Sequence, residues 1–333
     1  MKPYRIRIGY IRSLAFLSVA AAIALVGTAA AQSTYPSQTI RLIIGFPAGG
    51  ISDTLARLIG DAMSRRLGVA VVVEPRPGAG GLVGAEACAR SAPDGHTLCV
   101  GTAPVHSVHQ HLGGAKLTWD PATAFVPVTL ISTEPTVIAV SAKLGITDPA
   151  GFVEWLRRQP DAAYATGGHG TTSHLLGAAL GKHLGLSLEH IPYRGSQQAI
   201  LAGISGDVPI VVTVAGGIVP FVRSGELRAI GISSTKPNPS LPGVLPLSQT
   251  ILPQARFSNY LGIFAPSGTP GEIVAKVAET LRSAIADPDL REAIERLGVD
   301  PVFGTPAEFA AFLRESSEDF RTLVDLSGVG RKD

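Results

Sequence analysis

From residue 40 onward the sequence alternates short apolar runs with amphipathic stretches, and few folds accommodate such an order. In residues 41–63, RLIIGFPAGGISDTLARLIGDAM, a strand-like run is followed by a Gly-Gly pair and then by apolar residues at three- and four-residue spacing. The alternation favours an α/β fold with largely parallel sheets. It predicts strands at 40–45, 70–74, 97–101, 126–132, 136–140, 163–166, 188–192, 208–214, 227–232 and 260–265, and helices at 53–66, 82–90, 149–158, 173–183, 197–204, 217–224, 270–286 and 306–323.

These units fall into two sets, one before about residue 130 and one after it. A segment rich in Pro, Ser and Leu at 233–254 interrupts the second set, and one more strand and two closing helices follow it. The chain has 333 residues, enough for two domains of ordinary size. If the late elements return to the first set, the chain crosses twice between two lobes that have a cleft between them.

The first 31 residues differ in character from the rest. Four cationic residues precede an apolar run at 14–26, and three alanines follow at 29–31, which is the layout of a secretory signal peptide. We predict export from the cytoplasm with cleavage after Ala31, because the run is shorter than the ~20 residues that a membrane anchor needs. Cleavage would leave 24 Lys and Arg against 26 Asp and Glu, compared with 28 against 26 in the full chain. We therefore expect no nucleic-acid partner.

Two loops share one sequence pattern, a strand, then a glycine-rich turn, then a helix start. The first is GFPAGGISD at 45–53, and the second is GGHGTTS at 167–173. Amide N–H groups at a helix start attract anions, and in open α/β sheets ligands bind at the carboxyl ends of strands. Each loop by itself could be only a tight turn, whereas two such loops in an exported, two-lobed chain indicate a site for a carboxylate.

Several segments resemble one family, and they cover nearly the whole chain after Ala31. They are YPSQTIRLIIGFPAGGISDTLARL at 35–58, VVVEPRPGAGGLVGAEACARSAPDGHTLCVGT at 71–102, GTTSHL at 170–175, IPYRGS at 191–196, GELRAIGIS at 225–233, GIFAPSGTP at 262–270 and GTPAEFAAFL at 304–313. In this respect the chain resembles the Bug-type periplasmic receptors, the substrate-binding components of tripartite tricarboxylate transporters. The resemblance implies a type II periplasmic-binding-protein fold, with one lobe at 33–132 plus 256–333 and the other at 133–255.

The resemblance also implies a site that holds a small carboxylate between two loops, often through bridging water. Carried over by position, the ligand-binding residues are Phe46, Pro47, Ala48, Gly49, Gly50, Ser52, Asp53, Gly168, His169, Gly170, Thr171, Thr172 and Ser173. We further expect Thr102, His106, Arg194 and Thr213 to border the cleft.

Three positions depart from the family pattern. The family usually has Asn where His169 stands, an acidic residue near Thr213, and often Trp near Tyr260. A protonated His169 would favour a more anionic ligand. The missing acidic residue at Thr213 would weaken recognition of an amine, so we expect a carboxylate rather than an amino acid.

The two cysteines, Cys88 and Cys99, lie in a predicted helix and the following strand. An even count in an exported chain permits one disulfide, and a pair of buried thiols is the alternative. Either arrangement would be structural.

Other chemistry finds little support in the sequence. His106, His109 and His111 are close together, but no carboxylate or thiolate stands near them to complete a zinc site. PGAGGLVGAE at 77–86 has the wrong glycine spacing for a dinucleotide fingerprint, and no catalytic motif such as Gly-x-Ser-x-Gly or HExxH occurs. We therefore expect no metal, no cofactor and no catalysis.

The sequence as a whole predicts a monomeric receptor that captures a small organic carboxylate and delivers it to the membrane permease subunits of a tripartite transporter. Two alternatives stay open. One is an exported enzyme that acts on a small carboxylate, and the other is a receptor that presents its ligand to a membrane sensor.

Overall fold

The strands of the described chain form two separate sheets. The computed structural model describes residues 35–112, 117–121, 123–159 and 161–330. The first sheet has the strand order β11-β4-β10-β3-β1-β2, and the second has the order β7-β6-β8-β5-β9. The strands are β1 (Ile40–Ile44), β2 (Val71–Pro75), β3 (Thr97–Thr102), β4 (Phe125–Glu134), β5 (Thr136–Ser141), β6 (Ala163–Thr166), β7 (Glu189–Pro192), β8 (Ile210–Val214), β9 (Leu227–Ile232), β10 (Asn259–Pro266) and β11 (Asp300–Pro301).

Helices follow most of these strands, as the alternation predicts. They are α1 (Ile51–Leu67), α2 (Leu82–Ala89), α3 (Pro149–Arg158), α4 (Thr172–Leu184), α5 (Ser196–Ser205), α6 (Ala215–Arg223), α7 (Gly271–Ala284), α8 (Pro288–Glu295) and α9 (Pro306–Ser327). Two elements were not predicted from the sequence. One is α8, a short helix that Asp287 caps by accepting from the N–H of Asp289, and the other is a single π turn at Pro104–Val108.

The expectation of largely parallel sheets is wrong. Strands β2, β1 and β3 pair in parallel, and so do β7, β6 and β8, but β10, β4 and β11 pair antiparallel, as does β5 with β8 and β9. The antiparallel pairs involve the strands next to the places where the chain changes sheets. Strands β4 and β5 flank the first of these places, and β9 and β10 flank the second. Each sheet is therefore mixed.

The chain passes between the sheets at two adjacent places. It leaves the first sheet between Glu134 and Thr136 and returns between Ile232 and Asn259. The hydroxyl of Ser233 joins the two passages, since the N–H of Thr136 donates to Ser233 Oγ at 2.9 Å and this hydroxyl donates to the carbonyl oxygen of Phe257 at 2.7 Å. This double crossing and the two α/β lobes confirm the predicted fold class. The lobe boundaries at 132/133 and 255/256 remain a proposal, because the described residues from Gln38 onward form one compact unit.

One apolar core extends through both sheets. It contains Leu130 of β4 and Ile138 of β5, and Phe320 of α9 belongs to it as well. Helix α9 begins at a capping box formed by Thr305 and Glu308, and it packs against both β4 and α4. The C-terminal helix is thus shared between the lobes.

Cys88 and Cys99 form a disulfide, the first of the two alternatives above. It joins the end of α2 to β3 with the Cα atoms 6.0 Å apart. The predicted signal peptide lies outside the described residues. Within the described ranges, no helix is both long enough and apolar enough to cross a bilayer.

Candidate ligand-binding site

A cavity of about 200 Å³ opens between the two lobes. Both lobes and both crossings contribute to its wall. It is lined by Phe46, Pro47, Ala48, Gly50, Ile51, Ser52, Thr102, Pro104, Glu134, Gly167, Thr171, Thr172, Ser173, Arg194, Gly195, Ser196, Gln197, Gln198, Val214, Asn259, Tyr260 and Leu261. Among these described lining residues, Glu134 and Arg194 are the two that belong to the types Asp, Glu, Lys, Arg and His.

Three helices begin at the wall of this cavity. They are α1, α4 and α5, which follow strands β1, β6 and β7. The N-caps of α1 and α5 are Gly50 and Gly195, which have no side chain to accept from the first-turn N–H groups, whereas Thr171 caps α4 by accepting from the N–H of His174 at 3.2 Å. Because helix N-termini carry partial positive charge, their convergence makes the cavity favourable for an anion.

Asp53 fixes the loop in front of α1. Its Oδ2 accepts from the N–H of Gly49 at 2.9 Å and from Nε of Arg57 at 3.1 Å. Burial acts to raise the pKa of Asp53, but the hydrogen bonds from Arg57 and Gly49 outweigh it and hold that pKa below its usual value. Gly49 has a φ of +83°, which favours glycine. The carboxylate therefore shapes the loop from behind while its neighbours line the cavity.

Glu134 lies in the wall at the first crossing, where β4 ends. Its side chain is buried, and its Oε2 accepts one hydrogen bond, from the N–H of Gly216 at 3.4 Å. Burial raises the pKa of Glu134 to about 8, against a smaller opposing effect of the Gly216 N–H. Burial therefore favours the protonated form of this carboxyl at neutral pH, and in that form this residue of the cavity wall can donate a hydrogen bond.

Asn259 links the second crossing to both lobes. Its Nδ2 donates to Thr136 Oγ1 at 2.6 Å, and its Oδ1 accepts from Thr172 Oγ1 at 2.7 Å. Next to it, the hydroxyl of Tyr260 pairs with Ser107 Oγ at 2.7 Å. The hydrogen bond between Thr172 and Asn259 holds the start of α4 against β10, and both residues line the cavity.

Most of the residues predicted for the site lie together. Ten of them line the cavity, namely Phe46, Pro47, Ala48, Gly50, Ser52, Thr102, Thr171, Thr172, Ser173 and Arg194. Gly49, Gly168 and Gly170 belong to the same loops without being among the lining residues, and all three have positive φ values. These three glycines therefore allow the backbone of the two loops to turn with positive φ.

Three predicted residues face elsewhere. The side chain of Thr213 is fully buried within β8, and its neighbour Val214 lines the cavity, because successive side chains of a strand point to opposite faces. His106 stacks on Phe264 with 4.0 Å between ring centroids, and burial lowers its pKa to about 4. His169 is exposed and turns its ring toward two other histidines, so the structure gives no support to its acting as a cation in the cavity.

Sequence reasoning missed Glu134, Asn259 and the start of α5. One signal was present for Glu134, which is the single acidic residue in the two apolar strands FVPVTLISTE and TVIAVS. For α5 the signal was Arg194-Gly195-Ser196 after β7, a third glycine turn before a helix. Asn259 carries no such signal, because its role depends on Thr136 and Thr172 from distant parts of the chain.

A two-lobed α/β chain with a double crossing and an anion-favouring cleft defines a solute-binding receptor of the type II periplasmic-binding-protein class. The profile of the family described as "Tripartite tricarboxylate transporter family receptor" matches residues 55–329. The chain belongs to this family, and the predicted resemblance is confirmed.

Solved structures agree with this assignment. The structure of the periplasmic binding protein BugD superposes with a TM-score of 0.82 at 27% identity, over 90% of this chain and 100% of that one. Rpa4515 of R. palustris with adipate gives 0.83 at 25% identity, over 89% and 99%. MatC of Rhodopseudomonas palustris with bound malate gives 0.81 at 29% identity, over 87% and 100%.

Proposed function

We propose that this protein captures a small organic carboxylate in the cavity between its lobes and delivers it to the membrane subunits of a tripartite transporter. The observation that carries the proposal is the convergence of three helix N-termini on one cavity, two of them capped by glycines that leave the first-turn N–H groups available. The two similar proteins with adipate and malate, both small dicarboxylates, support the ligand class.

The charges of the wall favour an anion at neutral pH. Arg194 is cationic, and a protonated Glu134 contributes no negative charge to oppose a carboxylate. Hydrogen bonds to a charged group contribute about 1.5–3 kcal/mol each, so four to six of them would contribute roughly 6–18 kcal/mol, against roughly 4–15 kcal/mol for immobilising a ligand. The cavity is smaller than the roughly 300–1,000 Å³ of sites for drug-sized molecules, which favours a ligand of a few carbon atoms.

Thermal denaturation of residues 32–333 with a panel of ligands tests the ligand class. The panel contains mono-, di- and tricarboxylates, amino acids, sugars and nucleotides. A ligand at one hundred times its Kd stabilises by about 2.7 kcal/mol, a shift of several degrees. A response limited to carboxylates supports the proposal, and a response limited to sugars or nucleotides contradicts it. A response to amino acids alone would contradict the expectation of a carboxylate that carries no amine.

Serine variants test the location. Ser52 and Ser173 line the cavity at the starts of α1 and α4, and Ser187 is an exposed loop residue that serves as the control. We expect Ser52→Ala and Ser173→Ala to weaken carboxylate binding roughly 10- to 100-fold, the loss of one hydrogen bond to a charged group. Ser187→Ala should bind like the unmodified protein. Equal affinity in all three variants would place the ligand elsewhere.

Uptake by intact cells tests delivery separately from binding. Deleting the gene should abolish uptake of the labelled carboxylate that the binding assay identifies. The unmodified gene should restore uptake, and the Ser173→Ala gene should restore it only at higher concentrations. Normal uptake in the deletion strain, with binding intact in vitro, would favour the ligand-presenting sensor. Turnover of the bound acid by the purified protein would favour the enzyme.

A further inference from the structure

Three histidines from separate segments meet behind the glycine loop of the second lobe. His169 lies in the loop itself, His174 in the first turn of α4, and His190 in the edge strand β7. One ligand atom of each lies within 4.8 Å of those of the other two. The rings of His174 and His190 stack with 3.9 Å between their centroids, and the ring of His169 stands edge-on to both, at 5.0 Å and 4.9 Å.

The hydrogen bonds of the cluster leave coordination capacity unused. Nε2 of His190 pairs with Thr166 Oγ1 at 2.7 Å, whereas its Nδ1 is buried and has no hydrogen-bond partner among the described residues. Nδ1 of His174 accepts one hydrogen bond, from the N–H of Gly170 at 3.2 Å. A buried, unpaired imidazole nitrogen costs free energy unless something binds it.

We propose that His169, His174 and His190 together bind one divalent transition-metal ion of the class that imidazole binds, which includes Zn²⁺. Imidazole nitrogen suits Zn²⁺, Cu²⁺ and Ni²⁺, while Mg²⁺ and Ca²⁺ prefer oxygen, and three histidines with an open fourth position form a known zinc ligand set. At bond lengths of about 2.0–2.1 Å, two nitrogens on one tetrahedral Zn²⁺ lie roughly 3.4 Å apart. Coordination therefore requires the exposed side chain of His169 to swing inward and the stacked rings of His174 and His190 to tilt, so that their in-plane nitrogen lone pairs converge on the ion.

An ion at this place would act on the ligand-binding loop. It would tie the loop at Gly168–Gly170 to the start of α4 and to β7, and Thr171, the next residue, lines the cavity. The same loop also faces the first lobe closely, since a Cβ added at Gly80 would lie 2.7 Å from the carbonyl oxygen of His169. Metal binding would therefore reduce the freedom of one wall of the cleft without touching the cavity itself.

Isothermal titration of residues 32–333 with ZnCl₂ tests the proposal, using protein made without a polyhistidine tag and stripped with chelator. We expect one Zn²⁺ per chain, no response to MgCl₂, and a Tm rise of roughly 5 °C at one hundred times Kd. His169→Asn should weaken Zn²⁺ binding at least about tenfold while the Tm of the metal-free protein stays unchanged, because this side chain is exposed. His190→Gln should weaken it similarly.

His109→Asn is the matched control, because it removes a histidine of the first lobe that lies outside the cluster. It should bind Zn²⁺ like the unmodified protein. With Co²⁺ in place of Zn²⁺, the unmodified protein should show the visible absorption of a low-coordinate site, and His169→Asn should lose it. The proposal is overturned if Zn²⁺ does not bind at one per chain, or if His169→Asn binds it as tightly as the unmodified protein does.

Discussion

Glu134 shows how one buried group can set the charge of a whole site. It stands at the end of β4, at the crossing, where the pairing of β4 with β10 places it beside Asn259. The N–H of Gly216 is its one hydrogen-bond donor in the described chain, at the long distance of 3.4 Å. With so little support for a negative charge, protonation is the less costly way to bury this carboxyl. With Glu134 protonated, Arg194 is the charged side chain left among the described lining residues, and its charge favours an anion.

The raised pKa of Glu134 predicts a pH-dependent stability. The pKa is about 8 in the folded protein and 4.5 for the ordinary group, so the folded state binds this proton more tightly. The resulting stabilisation is complete below about pH 4.5 and is lost as the pH rises through 8. Between pH 6 and pH 8.5 the loss amounts to roughly 2–3 kcal/mol. Urea unfolding at the two pH values measures it.

Glu134→Gln separates this effect from other titrations. The amide keeps the shape of the protonated acid and cannot ionise, so we expect its stability to change much less over the same pH range. The unmodified protein should also bind its carboxylate at least about tenfold more weakly at pH 9 than at pH 6, since one pKa unit of coupling corresponds to tenfold. The same pH dependence in Glu134→Gln would show that another group is responsible.

At the residue scale, sequence reasoning identified loops better than individual contacts. Phe46, Ser52 and Ser173 could be predicted, because a strand, a glycine turn and a helix start bring neighbouring residues to one place. Thr213 could not be separated from Val214, because a one-residue difference in a strand decides which face a side chain occupies. His169 and His190 are 21 positions apart, and only the pairing of β6 with β7 brings their segments together.

At the scale of elements, the glycines of the first lobe serve close packing of backbone on backbone. A Cβ at Gly84 of α2 would lie 2.7 Å from the Cα of Gly45, at the end of β1, and a Cβ at Gly45 would lie 2.6 Å from the carbonyl oxygen of Gly81. The motif PGAGGLVG thus fits α2 against the cavity loop. This packing gives the motif a structural role that needs no dinucleotide.

Gly84→Ala tests this packing. Alanine favours a helix, so local propensity alone predicts a gain in stability. We expect instead a loss of roughly 1–3 kcal/mol, because the methyl group would force α2 away from β1. Gly271→Ala, at the start of α7, is the control, since its Cβ would meet no atom within 4 Å. If both variants were equally stable in thermal denaturation, the close contact at Gly84 would have no effect on the free energy of unfolding.

The order of elements was predictable from the sequence, and their pairing was only partly so. Periodicity located nearly all the helices and strands because it reports which faces are buried. It contains no information on strand direction, so the antiparallel pairs of β10 and β5 escaped it. Helix α8 was not predicted for a different reason, because eight residues give little more than two turns in which periodicity can be recognised.

At the scale of the molecule, one large apolar cluster belongs to both lobes. The core includes Leu130 in the first sheet and Ile138 in the second, and α9 packs on β4 and α4 at once. Phe320 of α9 is fully buried, with its ring centroid 6.0 Å from that of Phe257 and 6.3 Å from that of Tyr260. Because neither lobe can unfold without exposing this shared surface, we infer that they lose their structure together.

The two tryptophans of the chain allow a direct test. Trp119 precedes β4 in the first lobe, and Trp155 lies on α3 in the second. In the single-tryptophan variants Trp155→Phe and Trp119→Phe, fluorescence therefore reports each lobe separately. In each variant, we expect the urea midpoint from fluorescence to agree with the midpoint from circular dichroism.

Phe320→Ala should lower the free energy of unfolding by about 3–5 kcal/mol, and the tryptophans of both lobes should report the same loss. Leu201→Ala, at an exposed position, should leave both values unchanged. Fluorescence and circular dichroism transitions that separate within one variant would mean that the lobes unfold independently, and the shared helix would then be a contact between two domains instead of part of one core.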